Sequence, residues 1–343
     1  MKKKLKQSTY FDLALLAILL ISFFWIASQN AAFLSSDYVI GVVLKNAIEI
    51  GFMALPMTII IITGGIDLSC GNIMVLSSML GGMAAVKGGS VAGVLVTLIV
   101  GAACGLLNGI VITKVKVPAM ITTLATMYLY LGIARGISKG DSVYSYPATS
   151  FLGNQLVGGI PIQIYIYIVF AVIFVLILQK STYGRKIFAI GLNEGATRYS
   201  GIDTDKVILL AYVMEGVMAS LAAMTWIGRF TSLKYDAGTN MHMKVITIVV
   251  LGGTSIMGGV GDMKGSIIAT LIIAVMTSGL TVMGIPYDAQ TIVQGVVLLI
   301  SLTAYALIGM QGKRKKPENG KKVKGKELTV KGKIKTSLRR ILK

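Results

Sequence analysis

The sequence predicts an all-α, polytopic membrane protein of about ten transmembrane helices with glycine-broken segments. Three observations carry that expectation. The 343-residue chain is 55% apolar and only 14% charged, with a mean hydropathy of +0.78, which excludes an ordinary soluble domain of this length. Its apolar residues fall in stretches long enough to cross about 30 Å of hydrocarbon. Two of those stretches are interrupted by paired glycines, which break a helix whose backbone must stay hydrogen-bonded in lipid.

The expected spans run over 11–28, 39–62, 71–86, 90–112, 118–136, 161–179, 206–227, 244–260, 264–284 and 288–310. Lys2, Lys3 and Lys4 followed by an apolar run resemble a secretory leader. The run is long for a cleavable segment, so it reads as an uncleaved first helix after a short cytoplasmic N-terminus, 1–10. Lysine and arginine set the orientation. With the N-terminus inside, the inner side collects Lys114, Lys116, Lys180, Arg185, Lys186, Arg198 and Lys264, and ten spans bring the C-terminus inside too. The membrane domain is therefore expected over 11–310, with 180–206 as its longest inner loop.

The net charge of +19 first suggests nucleic acid, but +12 of it lies in Lys313–Lys343. The basicity is mostly a tail, 311–343, expected to be disordered or to lie on an anionic membrane surface. Cys70 and Cys104 both sit in apolar segments and support neither a disulfide framework nor a metal site. Gly101, Gly105 and Gly109 repeat every four residues on one helix face, a pattern that lets helices approach closely in lipid.

The first break reads Thr63-Gly64-Gly65-Ile66-Asp67-Leu68-Ser69-Cys70. An aspartate at mid-membrane costs about 2.5–3.5 kcal/mol on insertion scales. Such a break is tolerated only beside protein or a watery path, which points to transport. Asp67 also reads as a cap, with Ser69, for the following helix. The second break, Leu251–Gly261 with Gly252-Gly253 and Gly258-Gly259 inside it, again follows a β-branched run, so the two suggest a duplicated architecture. Candidates along the path are Gly64, Gly65, Asp67, Glu215, Gly252 and Gly253. Glu215 stands alone in the apolar seventh span, as a path residue, or as a buried carboxyl either bonded to a neighbouring helix or kept protonated by desolvation. Lys45 and Glu49, four apart, read as a mutually satisfied pair near the outer surface. Tyr128, Tyr130, Tyr165 and Tyr167 suit stacking on a solute ring, although interface anchoring is the commoner role near span ends.

In the inner loop, Asn193 suits the cap of a short helix and Glu194 its positive end. Glu194 and Arg198 form an i,i+4 pair, and Gly201 suits a left-handed stop. A two-turn helix with a cap, a pair and a stop is built to dock something rather than merely to connect.

These motifs carry a resemblance. Thr63–Ser69, Tyr183-Gly184-Arg185 with Ala189–Glu194, Ser200–Ile202, and Val250–Ile256 with Gly258-Gly259 are similar to the permease subunits of bacterial ABC importers for simple sugars, the ribose, rhamnose and autoinducer-2 group. The resemblance covers about 38–308. It implies a ten-helix subunit paired with a second permease, identical or different. It also implies two cytosolic ATPases that bind ATP and magnesium, and an extracytoplasmic sugar-binding protein. By the same resemblance, Tyr183, Gly184, Arg185, Asn193, Glu194, Arg198 and Gly201 are the ATPase-coupling residues. Two departures bear on substrate identity. Met241–Lys244 replaces an acidic stretch, and Glu215 stands where members often carry a small hydroxyl residue. Met53–Met57, Gly132–Ser138 and Tyr146-Pro147 are most similar to rhamnose-type members.

Enzyme motifs are lacking. Gly320–Lys326 mimics a phosphate loop, but Glu327 stands where a hydroxyl should bind magnesium. The chain is thus expected to bind no cofactor or metal and to catalyse nothing. Energy for pumping then comes from another chain. The alternative is an ion-coupled secondary transporter, with Asp67 or Glu215 carrying the proton.

Overall fold

A computed structural model describes residues 2–286, 288–297, 299 and 303, with side chains from residue 11 onward. The chain is overwhelmingly helical. Its elements are α1 (Lys2–Gln29), α2 (Ser36–Ile62), α3 (Cys70–Ile110), α4 (Ala119–Ser138), α5 (Pro147–Asn154), α6 (Ile162–Lys180), α7 (Thr182–Leu192), α8 (Glu194–Tyr199), α9 (Thr204–Phe230), α10 (Met241–Leu251) and α11 (Met263–Val282). Short antiparallel strand pairs, Val143–Tyr144 with Ser232–Leu233 and Leu156–Val157 with Ile160–Pro161, tie loops together. Among the described residues, seven helices are long and apolar enough to cross a membrane. Of the expected tenth span, 288–297 are described and helical; most of its remainder and the whole basic tail lie outside the described residues.

The helix that begins at Cys70 runs with its last turn to Val115, 46 residues in all. At 1.5 Å per residue that is about 70 Å, twice what hydrocarbon requires. It is a helical hairpin. Gly89 breaks it with φ 77 and ψ −178, a conformation essentially closed to residues with a Cβ. The two arms then fold back until Gly81 abuts Thr97 and the Gly93 carbonyl. The third and fourth expected spans are these two arms. The expected span 244–260 is instead the 11-residue α10, ended by Gly252 and Gly253.

The glycine stripe behaves as its spacing predicts. Gly101 lies against Ser220 and the Gly216 carbonyl, Gly105 against the Tyr212 carbonyl, and Gly109 against Leu209, all on α9. Where lipid offers no apolar drive for association, close backbone contact supplies dispersion instead. Ser220 Oγ donates to the Thr97 carbonyl across the same interface (2.9 Å). α2 is buried along nearly all of Lys45–Ile62 and forms the centre of the bundle.

Both glycine breaks close with one hydrogen-bond pattern. At the end of α2, Gly64 N–H donates to the Ile61 carbonyl and Gly65 N–H to the Ile60 carbonyl. At the end of α10, Gly253 N–H donates to Val250 and Thr254 N–H to Val249. Gly64 (φ 87) and Gly253 (φ 88) take the same left-handed turn, the geometry that satisfies orphan carbonyls at a helix end. Each break then restarts with an aspartate accepting from the backbone two residues on: Asp67 from Ser69 N–H (2.7 Å) and Asp262 from Lys264 N–H (3.0 Å). The likeness between the breaks is thus one of backbone geometry as well as of paired glycines.

Candidate functional site

The two breaks and the inner loop meet at one end of the bundle. Gly259 N–H, from the second break, donates to the carbonyl of Ile62 at the end of α2 (2.8 Å). Gly191, near the end of α7, presses against that same carbonyl and against Gly259 so closely that no Cβ fits. Gly258 stands in turn against Gly64. The sequence treats the first break as an interruption within hydrocarbon. It lies instead at the bundle end that carries α8, among charged side chains.

A cavity of about 260 Å³ opens there. Thr63, Gly64 and Gly65 form one wall, Thr113, Lys116 and Pro118 a second, and Glu194, Asp205 and Tyr212 a third. Gly64, Gly65 and Glu194 are therefore brought together, and loop helix and glycine break share one space. Asp67 lies just behind. It is fully buried, and its Oδ1 accepts from Ser69 N–H and from Ser69 Oγ (2.6 Å). Ser69 Oγ accepts from Asn108 Nδ2 (2.8 Å), and the Asn108 carbonyl oxygen accepts from the Tyr130 hydroxyl (3.2 Å). This chain ties the break to α3 and α4. Asp67 acts through Ser69, since the Ser69 side chain makes no capping bond of its own to α3.

Glu215 is fully buried and neither carboxylate oxygen has a hydrogen-bond partner. The bonded alternative read from sequence is therefore absent. It stands one turn beyond Tyr212, whose buried hydroxyl is also unpartnered and presses on Gly65. Gly252 and Gly253 do not line the cavity. Gly252 packs on Gly265 and Ser266, and Gly253 on the Phe11 ring. Tyr130 and Tyr167 are buried, whereas Tyr128 and Tyr165 are exposed.

The loop helix forms as its local rules dictate. The Asn193 side chain accepts from Ala196 N–H (2.9 Å), Glu194 and Arg198 pair at 2.9 Å, and Gly201 takes φ 85. Arg198 is also a hub, an arrangement the sequence reading missed. Its guanidinium donates to Thr204 Oγ1 (2.7 Å) and to Asp205, while Asp205 pairs with Lys116 at 2.7 Å. Hydrogen bonds to Glu194 and Asp205 push the Arg198 guanidinium further above its usual range. Asp203 caps α9 by accepting from Lys206 N–H (3.1 Å), which holds its carboxyl below the usual range. So α8 is riveted to α9 and, through Lys116, to the end of α3. Gly184 packs on the Leu178 carbonyl and the Tyr183 hydroxyl donates to the Val207 carbonyl (2.8 Å), fixing α7. Arg185 is exposed. Around this knob Leu192 (73% exposed), Tyr199 (95%) and Met257 (89%) stand out in solvent.

Lys45 and Glu49 are not each other's partners. Glu49 faces Arg229 at the far end of α9, and Lys45 reaches Asn154. Helical spacing finds only neighbours on one helix, and these partners lie more than a hundred residues away in sequence.

A bundle of long apolar helices, with glycine breaks and a helical knob gathered at one end, defines a multi-pass membrane permease. The chain belongs to the family described as branched-chain amino acid transport system / permease component, which matches residues 39–302. It is similar to the autoinducer 2 import system permease protein LsrD of Yersinia enterocolitica, 32% identical over 297 residues, covering 84% of this chain and 89% of that protein. It is equally similar to LsrD of Escherichia coli K12, 32% identical over 297 residues and 90% of that protein. No solved structure matches. The resemblance to importer permeases is thereby borne out: the chain is a transport component of the ATP-binding-cassette class rather than an enzyme, and a multi-pass protein of the bacterial inner membrane.

Proposed function

We propose that this chain is the permease subunit of an ATP-driven importer that moves a simple sugar or sugar-like solute, of rhamnose, ribose or autoinducer-2 type, across the inner membrane. Ten spans with both termini inside complete the bundle. A second permease, two cytosolic ATPases carrying ATP and magnesium, and an extracytoplasmic binding protein complete the transporter. The ATPase engages the knob built from Tyr183, Gly184, Arg185, Asn193, Glu194, Arg198 and Gly201. Gly64, Gly65, Asp67 and Glu215 border the solute's route, and Gly252 and Gly253 shape it from behind.

One observation carries the reading. The backbone of Gly191, at the root of the exposed loop helix, contacts both glycine breaks at once. A push on α8 then reaches the end of α2 and the Gly258-Gly259 part of the second break through direct contact, with no long lever. Packed elements of this kind switch between discrete arrangements rather than deform smoothly. The test is uptake of labelled ribose, rhamnose and autoinducer-2 into vesicles holding the full transporter. Uptake of one of them should require ATP and the ATPase. Uptake that continues without an ATPase and collapses with the proton gradient would establish an ion-coupled carrier instead.

A further inference from the structure

The bundle end opposite α8 holds a second group of buried charges that the knob and the breaks do not use. Lys45, Asn46 and Glu49 lie on α2, Asn154 ends α5, and Arg229 is in the last turn of α9. Residues 45 and 62 on α2 are ~26 Å apart along the helix, so this group is remote from the breaks. Glu49 is 1% exposed and Lys45 is 9% exposed. α5 and α9 are clamped where Gly153 meets Gly228 and where Asn154 Nδ2 donates to the Gly228 carbonyl (2.6 Å).

The group is poorly satisfied. Arg229 Nη1 stands 3.4 Å from Glu49 Oε1, and neither atom makes an aligned hydrogen bond. Arg229 Nη2 donates to Asn46 Oδ1, and Asn46 Nδ2 donates on to Ser278 Oγ (2.9 Å). Lys45 Nζ reaches Asn154 Oδ1 only at 3.5 Å. A guanidinium offers five N–H donors and an ammonium three. Between them they meet one side-chain amide well, a second amide at long range and one misaligned carboxylate. A buried ion pair stabilises only with good geometry and further hydrogen bonds; this one is misaligned, and its one further side-chain bond runs from Arg229 to Asn46. Charges inside a membrane bundle mark solute pathways, and unmet buried polar groups call for a specific reason.

The chemistry of the shortfall defines what would fill it. The group lacks acceptors for Arg229 and Lys45, and Glu49 Oε1 lacks a donor. A hydroxyl is both donor and acceptor. A neighbouring pair of hydroxyls, or a hydroxyl beside a keto oxygen, bridges carboxylate and guanidinium, whereas an anion meets the Glu49 carboxylate head-on. We propose that Lys45, Asn46, Glu49, Asn154 and Arg229 form a recognition site for a small neutral solute rich in hydroxyl or keto oxygens, at the end of the conduit remote from the knob. The proposal rests on the reading of the chain as a sugar permease.

The site has its own reporter. The Arg229 guanidinium lies over the Phe230 ring, 4.2 Å from its centroid, and Trp226 stacks on Phe230 at 4.8 Å. Trp226 is one of two tryptophans. In the purified full-length permease carrying Trp25→Phe, Trp226 fluorescence is titrated with ribose, rhamnose and autoinducer-2. One of these should give a saturable change. Arg229→Gln and Glu49→Gln should each raise its dissociation constant about ten- to a hundredfold, the usual loss for a hydrogen bond to a charged group. Arg229→Lys should raise it less. Asn46→Ala serves if a charge variant fails to fold. Two results overturn the site: no saturable change with any of the three, or affinity unaltered in every variant that folds. Either can occur while ATP-driven uptake persists, and then this site falls and the permease reading stands. Absence of ATP-driven uptake in the wild type would instead remove the function.

Discussion

Arg198 is the residue on which the knob turns. It bonds Glu194 within α8 and Thr204 and Asp205 on α9. Its worth to stability is small, because exposed i,i+4 pairs are screened by solvent and the side chain is half exposed. Its worth to transport is large if it holds α8 at a fixed angle to the bundle. Arg198→Glu and Glu194→Lys should leave expression and melting temperature near wild type while ATP-driven uptake falls at least tenfold. Equal uptake in both variants, at equal amounts in the membrane, would remove α8 from the coupling path. Much of this was legible in the sequence. Asn193, Glu194, Arg198 and Gly201 follow rules that act within one or two turns, and each sits as those rules require. The links from Arg198 to Asp205 and on to Lys116 were not legible, since Lys116 is 89 residues from Asp205. Glu49 shows the same limit. Spacing alone assigned it Lys45, whereas the fold brings in Arg229 from 180 residues away.

Among the elements, α3 and its contact with α9 place everything else, and glycine decides both. Gly105 has the Tyr212 carbonyl where a Cβ would stand, whereas Gly136, on the face of α4, has no heavy atom near its own. Both are helical, so intrinsic propensity alone favours alanine at each by about 1 kcal/mol. Packing should reverse the sign at one of them. Gly105→Ala should lower the melting temperature of the purified permease, by overpacking worth about 1–3 kcal/mol, and Gly136→Ala should leave it unchanged or raise it. A Gly105→Ala protein as stable as wild type would mean that α3 and α9 do not pack as described. The stripe was readable because a four-residue repeat of small residues has one main physical use in lipid. The hairpin at Gly89 was readable as two spans, though nothing local distinguishes it from one long helix except its length. The span expected over 244–260 was misjudged. Apolar composition continues past Gly252, but the left-handed turn at Gly253 ends α10 and sends the chain back beneath α2. Composition measures the cost of immersion in lipid and is blind to where the backbone turns.

At the scale of the whole molecule, the two ends of the bundle divide the work. One end gathers both glycine breaks, the cavity of about 260 Å³ and the exposed knob. The other holds the unsatisfied charges around Arg229. Under the proposed function, force enters where the backbone is broken and solute is held where side chains are unmet, and a conduit driven from one face needs that separation. The central claim is that α8 is where an ATPase pushes. Ala196 is exposed on α8, and the native cysteines Cys70 and Cys104 are both buried, so Ala196→Cys offers a single reactive thiol. The direct measurement is thiol cross-linking of Ala196→Cys in membranes where the permease is expressed with its ATPase. A covalent adduct with the ATPase should form, and its yield should change between nucleotide-free and ATP-bound states. A variant that transports normally yet never cross-links to the ATPase in any state would contradict it.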